Sequence, residues 1–187
     1  LRFGDTPIQS AYLIDSADFV QCSNPSYITR YNMTNDIKEN GSFLINTSAT
    51  TVEELENFLP ASVKQDIANK NINLYVIDAI KIAADLGLRG RTNTILQSAF
   101  FKVANIIPYD QAVEYMKKMA YKSFAKKGDA IVQMNYNAID SASANLVKID
   151  VPACWKDATT GAPMADVADN KYFKDIVHPI LVLEGDK

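Results

Sequence analysis

The sequence predicts a three-layer α/β domain with a mainly parallel sheet, a helix-rich C-terminal half and an extended C-terminal connector. Three observations lead there. Short apolar, β-favouring runs alternate with helical patterns in the first half, and helical patterns dominate the second. The run Ile72–Ile77 is nearly continuously apolar, as expected of a strand covered on both faces. Beyond Val151 the periodic apolar pattern fades, and Pro152, Pro163 and Pro179 punctuate the chain. Residues 1–150 are therefore expected to form one domain and residues 151–187 a connector.

Ala17–Cys22 reads as the first strand. Pro25 fits the first turn of a helix, where its missing N–H is not needed, and a helix is expected over Ser26–Lys38 with Gly41 as its stop. Ser42–Asn46 is the second strand. Thr51 opens a capping pattern with Glu53 and Glu54 in the first turn, and Pro60 divides the helical stretch that follows. After the third strand, Asp78 caps a helix to about Leu86. A largely apolar helix is expected over Thr94–Ile107, ended by Pro108. Two more follow, one from Tyr109 to about Lys126 and one from about Ala130 to Val147, with Gly128-Asp129 between them. In the connector, Trp155 is expected to pin the chain to the domain.

Composition excludes several classes. With 187 residues, 48% hydrophobic and 22% charged, the chain can bury a sizeable core. A net charge of -3 disfavours a nucleic-acid surface built on phosphate contacts. No apolar run approaches the ~20 residues that span a bilayer, and no secretory signal is visible. The chain opens on Leu1 rather than methionine, which implies that it was cut from something longer. Cys22 and Cys154 form no CxxC pair and no disulfide framework, a usage that suits a reducing compartment. Cys22 reads as a small core residue. The sequons at Asn32, Asn40 and Asn46 matter only in a secreted protein and read as chance. His178, the one histidine, precedes Pro179 without an acid–base partner nearby, so a surface or packing role is expected. Lys118, Lys122 and Lys126 share a helix face at four-residue spacing and read as a solvated face rather than a phosphate contact. No Ser/His/Asp or Cys/His set, phosphate loop, dinucleotide motif or metal-ligand cluster exists.

The stretch with most chemical promise is Gly87-Leu88-Arg89-Gly90-Arg91-Thr92-Asn93. Its glycines permit a tight backbone path. Its arginines offer planar donor forks for phosphate or carboxylate. Thr92 or Asn93 can cap the following helix, whose free N–H groups beside arginines make an anion site. The competing reading is a capped corner whose arginines pair with local carboxylates. In a parallel sheet, ligands bind outside the carboxyl ends of the strands. Cys22-Ser23-Asn24-Pro25-Ser26, Asn46-Thr47-Ser48 and the start of the Asp78 helix are expected there, with Asn24 and Ser26 as neutral polar groups that also serve as simple caps.

Several ordered segments carry a resemblance. Arg91-Thr92-Asn93, Gln97 and Ala99-Phe100-Phe101-Lys102 form one group. The others, in order, are Leu1-Arg2-Phe3-Gly4 with Pro7-Ile8, Ala17-Asp18-Phe19-Val20 through Asn24-Pro25-Ser26-Tyr27, Leu59-Pro60-Ala61-Ser62-Val63-Lys64, and Val151-Pro152-Ala153 with Trp155. Together they resemble the gamma region of the pyruvate:ferredoxin (flavodoxin) oxidoreductases over nearly the whole chain. The resemblance implies a parent enzyme that oxidatively decarboxylates pyruvate to acetyl-CoA and CO2. It further implies thiamine diphosphate, Mg²⁺ and [4Fe–4S] clusters as cofactors, coenzyme A as substrate, and ferredoxin or flavodoxin as electron acceptor. A homodimer in the cytoplasm, or in an anaerobic organelle such as a hydrogenosome, is implied too.

This chain alone is expected to hold none of those cofactors and to be inactive. It lacks the Gly-Asp-Gly-type motif with which the family holds thiamine diphosphate, the cysteine-rich cluster segment, and the glycine-rich strand–helix unit that normally precedes this region. Its partners are expected to be other domains of the same polypeptide, with neither nucleic acid nor membrane. Its expected role is a scaffold and one wall of the coenzyme A site. Arg91 would meet the phosphates, and Asn93 would orient it or bind directly. Arg89 is weaker, because the family carries small residues there. The alternatives are a packing module without ligand contact and, more remotely, a free-standing nucleotide-binding protein.

Overall fold

The computed structural model describes residues 6–9, 14–88, 90–165 and 170–181. Among them, three parallel strands, β1 (Ala17–Cys22), β2 (Ile37–Asn46) and β3 (Asn73–Ile77), form a sheet in the order β1-β2-β3-β4, closed by the short antiparallel β4 (Val147–Ile149). The helices are α1 (Val52–Phe58), α2 (Ala61–Asn69), α3 (Ala79–Asp85), α4 (Asn93–Ala104), α5 (Tyr109–Phe124), α6 (Asp129–Asn145) and the short α7 (His178–Leu181).

Strand periodicity explains the layers. Phe43, Ile45, Leu74 and Val76 point to one face and pack with Leu55, Val63 and Ile67 of α1 and α2. Leu44, Tyr75 and Ile77 point to the other and pack with Ile82, Ile95, Leu96 and Ala138 of α3, α4 and α6. Both faces are covered, which is why these strands read as continuous apolar runs. Outside this second layer, α5 packs on α6 through Met116, Ala120 and Ile139. The hydroxyl of Ser98, fully buried, donates to the Ile139 carbonyl at 2.8 Å and lies 3.0 Å from the Tyr109 hydroxyl, tying α4, α5 and α6 together.

Most expected elements are present near their expected bounds. Thr51 caps α1 in a reciprocal box: its hydroxyl accepts from the Glu54 N–H, and the Glu54 carboxylate accepts from the N–H groups of Thr50 and Thr51. Those two backbone donors hold the Glu54 carboxyl below its ordinary range.

Three expectations need correction. Ser26–Lys38 is not a helix, and Gly41 stops none. Only a 3-10 turn forms at Pro25–Tyr27, and β2 begins at Ile37. The Lys70 ammonium takes the carbonyls of Thr34 and Asn35 at 2.9 and 2.7 Å, and the Thr34 hydroxyl donates to Asp66 at 2.6 Å. Those tertiary bonds remove groups that a helix needs. Gly41 instead sits in a bulge, where pairing jumps from Ala17–Ile37 to Phe19–Ser42. A Cβ there would lie 2.7 Å from the Ile37 side chain and 2.9 Å from the Lys38 carbonyl, so the close approach requires glycine. Second, Val147 belongs to β4, because α6 ends at Asn145 and Leu146 is already extended. Third, within the segment read as an extended connector, Phe173–Leu181 is helical, with a π-helical turn running into α7.

Trp155 is fully buried in the α1–α2 layer, in a 3-10 turn at Ala153–Asp157. Its indole N–H donates to Glu56 at 2.5 Å, and the other oxygen of Glu56 pairs with the Lys64 ammonium. Lys64 is itself fully buried, also donates to the Glu56 carbonyl at 3.0 Å, and lies 5.9 Å from the Trp155 ring. One carboxylate thus satisfies a buried ammonium and a buried indole at once.

Glu56→Ala strands the Lys64 charge. The side chain of Glu56 is 41% exposed, so we expect a loss of about 2–3 kcal/mol, below the value for a fully buried pair. Denaturant unfolding followed by fluorescence of Trp155, the single tryptophan, measures it. Lys64→Met removes the charge instead of stranding it and should cost less. The Lys64 hydrogen bond, aided by the Trp155 N–H, holds the Glu56 carboxyl below its ordinary range against the opposing effect of desolvation. The stabilisation from Glu56 is therefore complete above the unfolded-state value and is lost as pH falls through the lower folded-state value. In an acid titration, Trp155 fluorescence should change below about pH 4.3, the ordinary glutamate midpoint; a change at or above that value contradicts the linkage.

Candidate functional site

Because β1, β2 and β3 run parallel, their carboxyl ends lie together, with Cys22 beside Ile45 and Asn46 beside Ile77. Asn46, 2% exposed, joins these ends. Its amide donates to the Ser23 carbonyl at 2.9 Å, and its carbonyl accepts from the Ala79 N–H at 3.0 Å. One side chain from β2 thereby fixes the chain leaving β1 and the first residue of α3. The Thr47 N–H donates to the Ile77 carbonyl, and its hydroxyl accepts from the Ala49 N–H at 3.1 Å. Asn24 caps the 3-10 turn, accepting from the Ser26 N–H and hydroxyl at 3.1 and 3.0 Å. Asp78 caps α3 through the Lys81 N–H at 2.8 Å. The three stretches expected at this end are brought together there.

The loop between α3 and α4 follows from backbone geometry. Gly87 and Gly90 adopt φ of +71° and +78°, where a Cβ is unfavourable. The N–H groups of Gly87 and Leu88 return to the carbonyls of Ala84 and Ala83, closing α3. The Arg91 N–H donates to the Leu88 carbonyl at 3.1 Å, and the Arg91 side chain is exposed. Arg89 lies outside the described residues, as does Leu1–Gly4. Thr92 is the N-cap of α4 but has helical φ and ψ and makes no side-chain capping bond, which corrects the expectation that Thr92 or Asn93 caps this helix. The amides of its first turn, which helix geometry leaves without intrahelical partners, therefore have no side-chain cap.

Two hollows flank that turn. A cleft of about 370 Å³ lies between β1 and α4, with Gln21 and Ser23 on one side and Thr92, Asn93, Gln97 and Phe100 on the other. The Gln21 amide donates to the Ser23 hydroxyl at 2.9 Å, and Phe100 meets Phe19 edge to face at 5.2 Å. Among the described residues, the cleft lining carries no ionised side chain. A second hollow of about 330 Å³ runs between α4 and α5. Asn93 and Gln97 line both. Of the residues expected to bind, Asn93 is in the cleft wall and Arg91 is one residue before the wall begins at Thr92. Asn24 and Ser26, spent on capping each other, are not in the cleft lining. Gln21 and the bridging role of Asn46 were not foreseen. A buried asparagine at a strand end needs partners on both amide atoms, which is the signal that points to Asn46.

The remaining titratable groups are placed as follows. Burial pushes the Cys22 thiol up to about 11, opposed in small part by a hydrogen bond with the Asn24 backbone, and the thiol donates to the Asn24 carbonyl at 3.1 Å, so it is an inert core group. His178 is half-buried, its ring centroid 6.5 Å from that of Phe173. Among the described residues no three His, Cys, Asp or Glu side chains gather in a metal-holding group, and no helix is long and apolar enough to cross a membrane.

Two substitutions test this construction. Asn46→Leu leaves the Ser23 carbonyl and Ala79 N–H without partners and should cost about 2–4 kcal/mol in denaturant unfolding. Gly90→Ala meets no atom within 4 Å, so its cost should be only that of the left-handed backbone, about 1–2 kcal/mol.

Comparison with known proteins defines the family. The family model described as pyruvate ferredoxin/flavodoxin oxidoreductase matches residues 1–144. Pyruvate:ferredoxin oxidoreductase of Moorella thermoacetica is 47% identical over 187 residues, covering all of this chain and 16% of that protein. Pyruvate-flavodoxin oxidoreductase of Enterobacter agglomerans is 45% identical over 189 residues, again all of this chain and 16% of the relative. The chain thus spans about one-sixth of these relatives' length. The crystal structure of pyruvate oxidoreductase subunit PORC from Thermotoga maritima shares the fold with a TM-score of 0.56 at 22% identity, covering 71% of this chain and 65% of that one. A family match over residues 1–144 and 47% identity over the whole chain show that the chain belongs to the pyruvate ferredoxin/flavodoxin oxidoreductase family.

Proposed function

We propose that this chain is one domain, residues 1–150, with a connector at 151–187, of a longer enzyme that oxidatively decarboxylates pyruvate to acetyl-CoA and CO2. That enzyme passes electrons to ferredoxin or flavodoxin. Within it, this domain is a scaffold and one wall of the coenzyme A site. The family membership and the names of the relatives support the parent activity. The observation that carries the site is the cleft at the carboxyl ends of the parallel strands, bounded by Asn93 with the exposed Arg91 close by in the chain.

The division of labour follows from the chemistry present. Coenzyme A joins a phosphate-rich end to an uncharged amide arm. Arg91 supplies a forked cationic donor for phosphate, and the uncapped first turn of α4 adds N–H donors beside it. Neutral Gln21, Ser23, Asn93 and Gln97 suit amides. Two cysteines, one sealed in the core, cannot supply the four thiolates of a [4Fe–4S] cluster, so this reading assigns the clusters to other domains. Thiamine diphosphate and Mg²⁺ are likewise assigned to other domains, and the isolated chain is inactive. A cytoplasmic or anaerobic-organelle setting accords with this reading; one relative, from Euglena gracilis, is named as mitochondrial.

A second reading, a packing module without ligand contact, is favoured by the apolar side chains that α5 exposes. One experiment separates the two. In the full-length enzyme, Arg91→Ala should raise the KM for coenzyme A about tenfold or more and leave the KM for pyruvate and the Tm unchanged. An unchanged KM for coenzyme A with a lowered Tm supports the packing module and sinks the coenzyme A wall.

A further inference from the structure

We propose that Asn46 is a positioning residue for the cleft. Through its two hydrogen bonds it sets the β1 wall against the α4 wall, and so sets the affinity for the molecule held between them. The inference rests on reading the cleft as one wall of the coenzyme A site.

The two walls come from distant parts of the chain. Gln21 and Ser23 stand on one side, and Thr92, Asn93 and Gln97 on the other. Among the described residues, no hydrogen bond joins the first pair to the second group. The two elements do touch where Phe19 meets Phe100 edge to face at 5.2 Å. Ring pairs of this kind tolerate centroid separations of about 4.5–7 Å, so this contact by itself leaves the cleft width loose. A hydrogen bond confines its atoms to a few tenths of an ångström.

Asn46 supplies the directional link. Its amide holds the carbonyl of Ser23, itself a wall residue, at 2.9 Å. Its carbonyl holds the Ala79 N–H at 3.0 Å. Ala79 opens α3, a helix of 7 residues. So short a helix does not hold its place by its own bonds, and the point where its first residue is pinned decides where its far end lies. From that end, closed by the Gly87 and Leu88 N–H groups, the loop carries Arg91 to Thr92 and α4. Asn46 touches neither the cleft nor a reacting atom. It acts through Ser23 on one side and through α3 on the other.

This role needs a donor and an acceptor on one buried side chain, which makes it testable with an acid of the same shape. In Asn46→Asp the ionised carboxylate accepts from Ala79 but repels the Ser23 carbonyl. The protonated carboxyl donates to Ser23 and accepts from Ala79, as the carboxamide does. Burial lifts the introduced acid above the ordinary carboxylate range, and the Asp78 carboxylate, one residue from Ala79, lifts it further. Of the other titratable groups on the neighbouring elements, the Cys22 thiol of β1 is held near 11 and stays protonated. Asp18 of β1 pairs with Lys38 at 2.8 Å, Lys81 of α3 pairs with Asp85 at 2.6 Å, and Tyr75 of β3 lies beside Lys148.

The test uses the full-length enzyme. KM for coenzyme A, KM for pyruvate and kcat are measured for the native protein, Asn46→Asp and Asn46→Leu between about pH 5.5 and 8.5. Hydrogen exchange of the Gly87–Thr92 backbone is compared with the native protein at each pH. Expected for Asn46→Asp is a KM for coenzyme A about tenfold above native at the alkaline end, returning to native at the acid end. KM for pyruvate and kcat stay native, and the loop loses protection only where the KM is raised. Asn46→Leu, where it folds, is raised at every pH. A native KM for coenzyme A across the range with only a lowered Tm makes Asn46 a structural residue and overturns the inference. A raised KM in Asn46→Asp that acid does not restore overturns it too, because the donor to Ser23 is then not what matters. Arg91→Ala separates the underlying reading. If it leaves the KM for coenzyme A unchanged while Asn46→Asp still loosens the loop at alkaline pH alone, the coenzyme A wall fails and the positioning role stands.

Discussion

Covering a parallel sheet on both faces leaves its strand ends as the place where polar backbone must find partners inside the protein. In this domain Asn46 meets that requirement. Its buried carboxamide takes a carbonyl from the turn after β1 and an N–H from the start of α3. A carboxamide can serve a donor and an acceptor at once without carrying charge, which suits a site that is 2% exposed. Everything above the sheet at this end depends on that bridge. It fixes Ser23, a cleft residue, and it fixes α3, whose glycine-closed end launches the loop that carries Arg91.

The other layer is anchored by a different device. Glu56, Lys64 and Trp155 join α1, α2 and the turn after β4 through one shared carboxylate. Burying an ammonium is costly, and the cost is met by two acceptors on Glu56 and by the indole face nearby. Its consequence is positional: the chain leaving β4 is held against α1 and α2 before it continues. The Gln65 amide adds a bond of 2.8 Å to the Ala158 carbonyl on the same segment. The two devices sit on opposite layers, so the path of the C-terminal segment and the shape of the cleft are set by separate sets of bonds.

Where local chemistry dominates, the elements were legible. Val, Ile, Leu and Phe runs marked β1, the second half of β2, and β3. Thr51 with Glu54, Pro60 and Asp78 marked helix boundaries through bonds within a few residues of themselves. Ser26–Lys38 was misread because its polar residues answer to distant partners, Lys70 and Asp66, rather than to their own turn. β4 was missed because three residues are too few for alternation to register, and an edge strand exists only through its neighbour.

The sequence by itself determined the fold class, the family resemblance, the order of most elements and the loop that carries Arg91 into Asn93, the first residue of α4. The fold class, the element order and the loop follow from side-chain type and spacing along the chain, and the resemblance from ordered motifs such as Ala99-Phe100-Phe101-Lys102. Tertiary structure alone decided that Asn46 bridges the turn after β1 and the start of α3, 23 and 33 residues away from it, that Lys64 is buried against Glu56 and Trp155, and that Asn93 and Gln97 face two hollows at once. Each of these is a contact between segments far apart in the chain, and satisfying a buried donor or acceptor depends on where other segments pass, not on its neighbours in sequence.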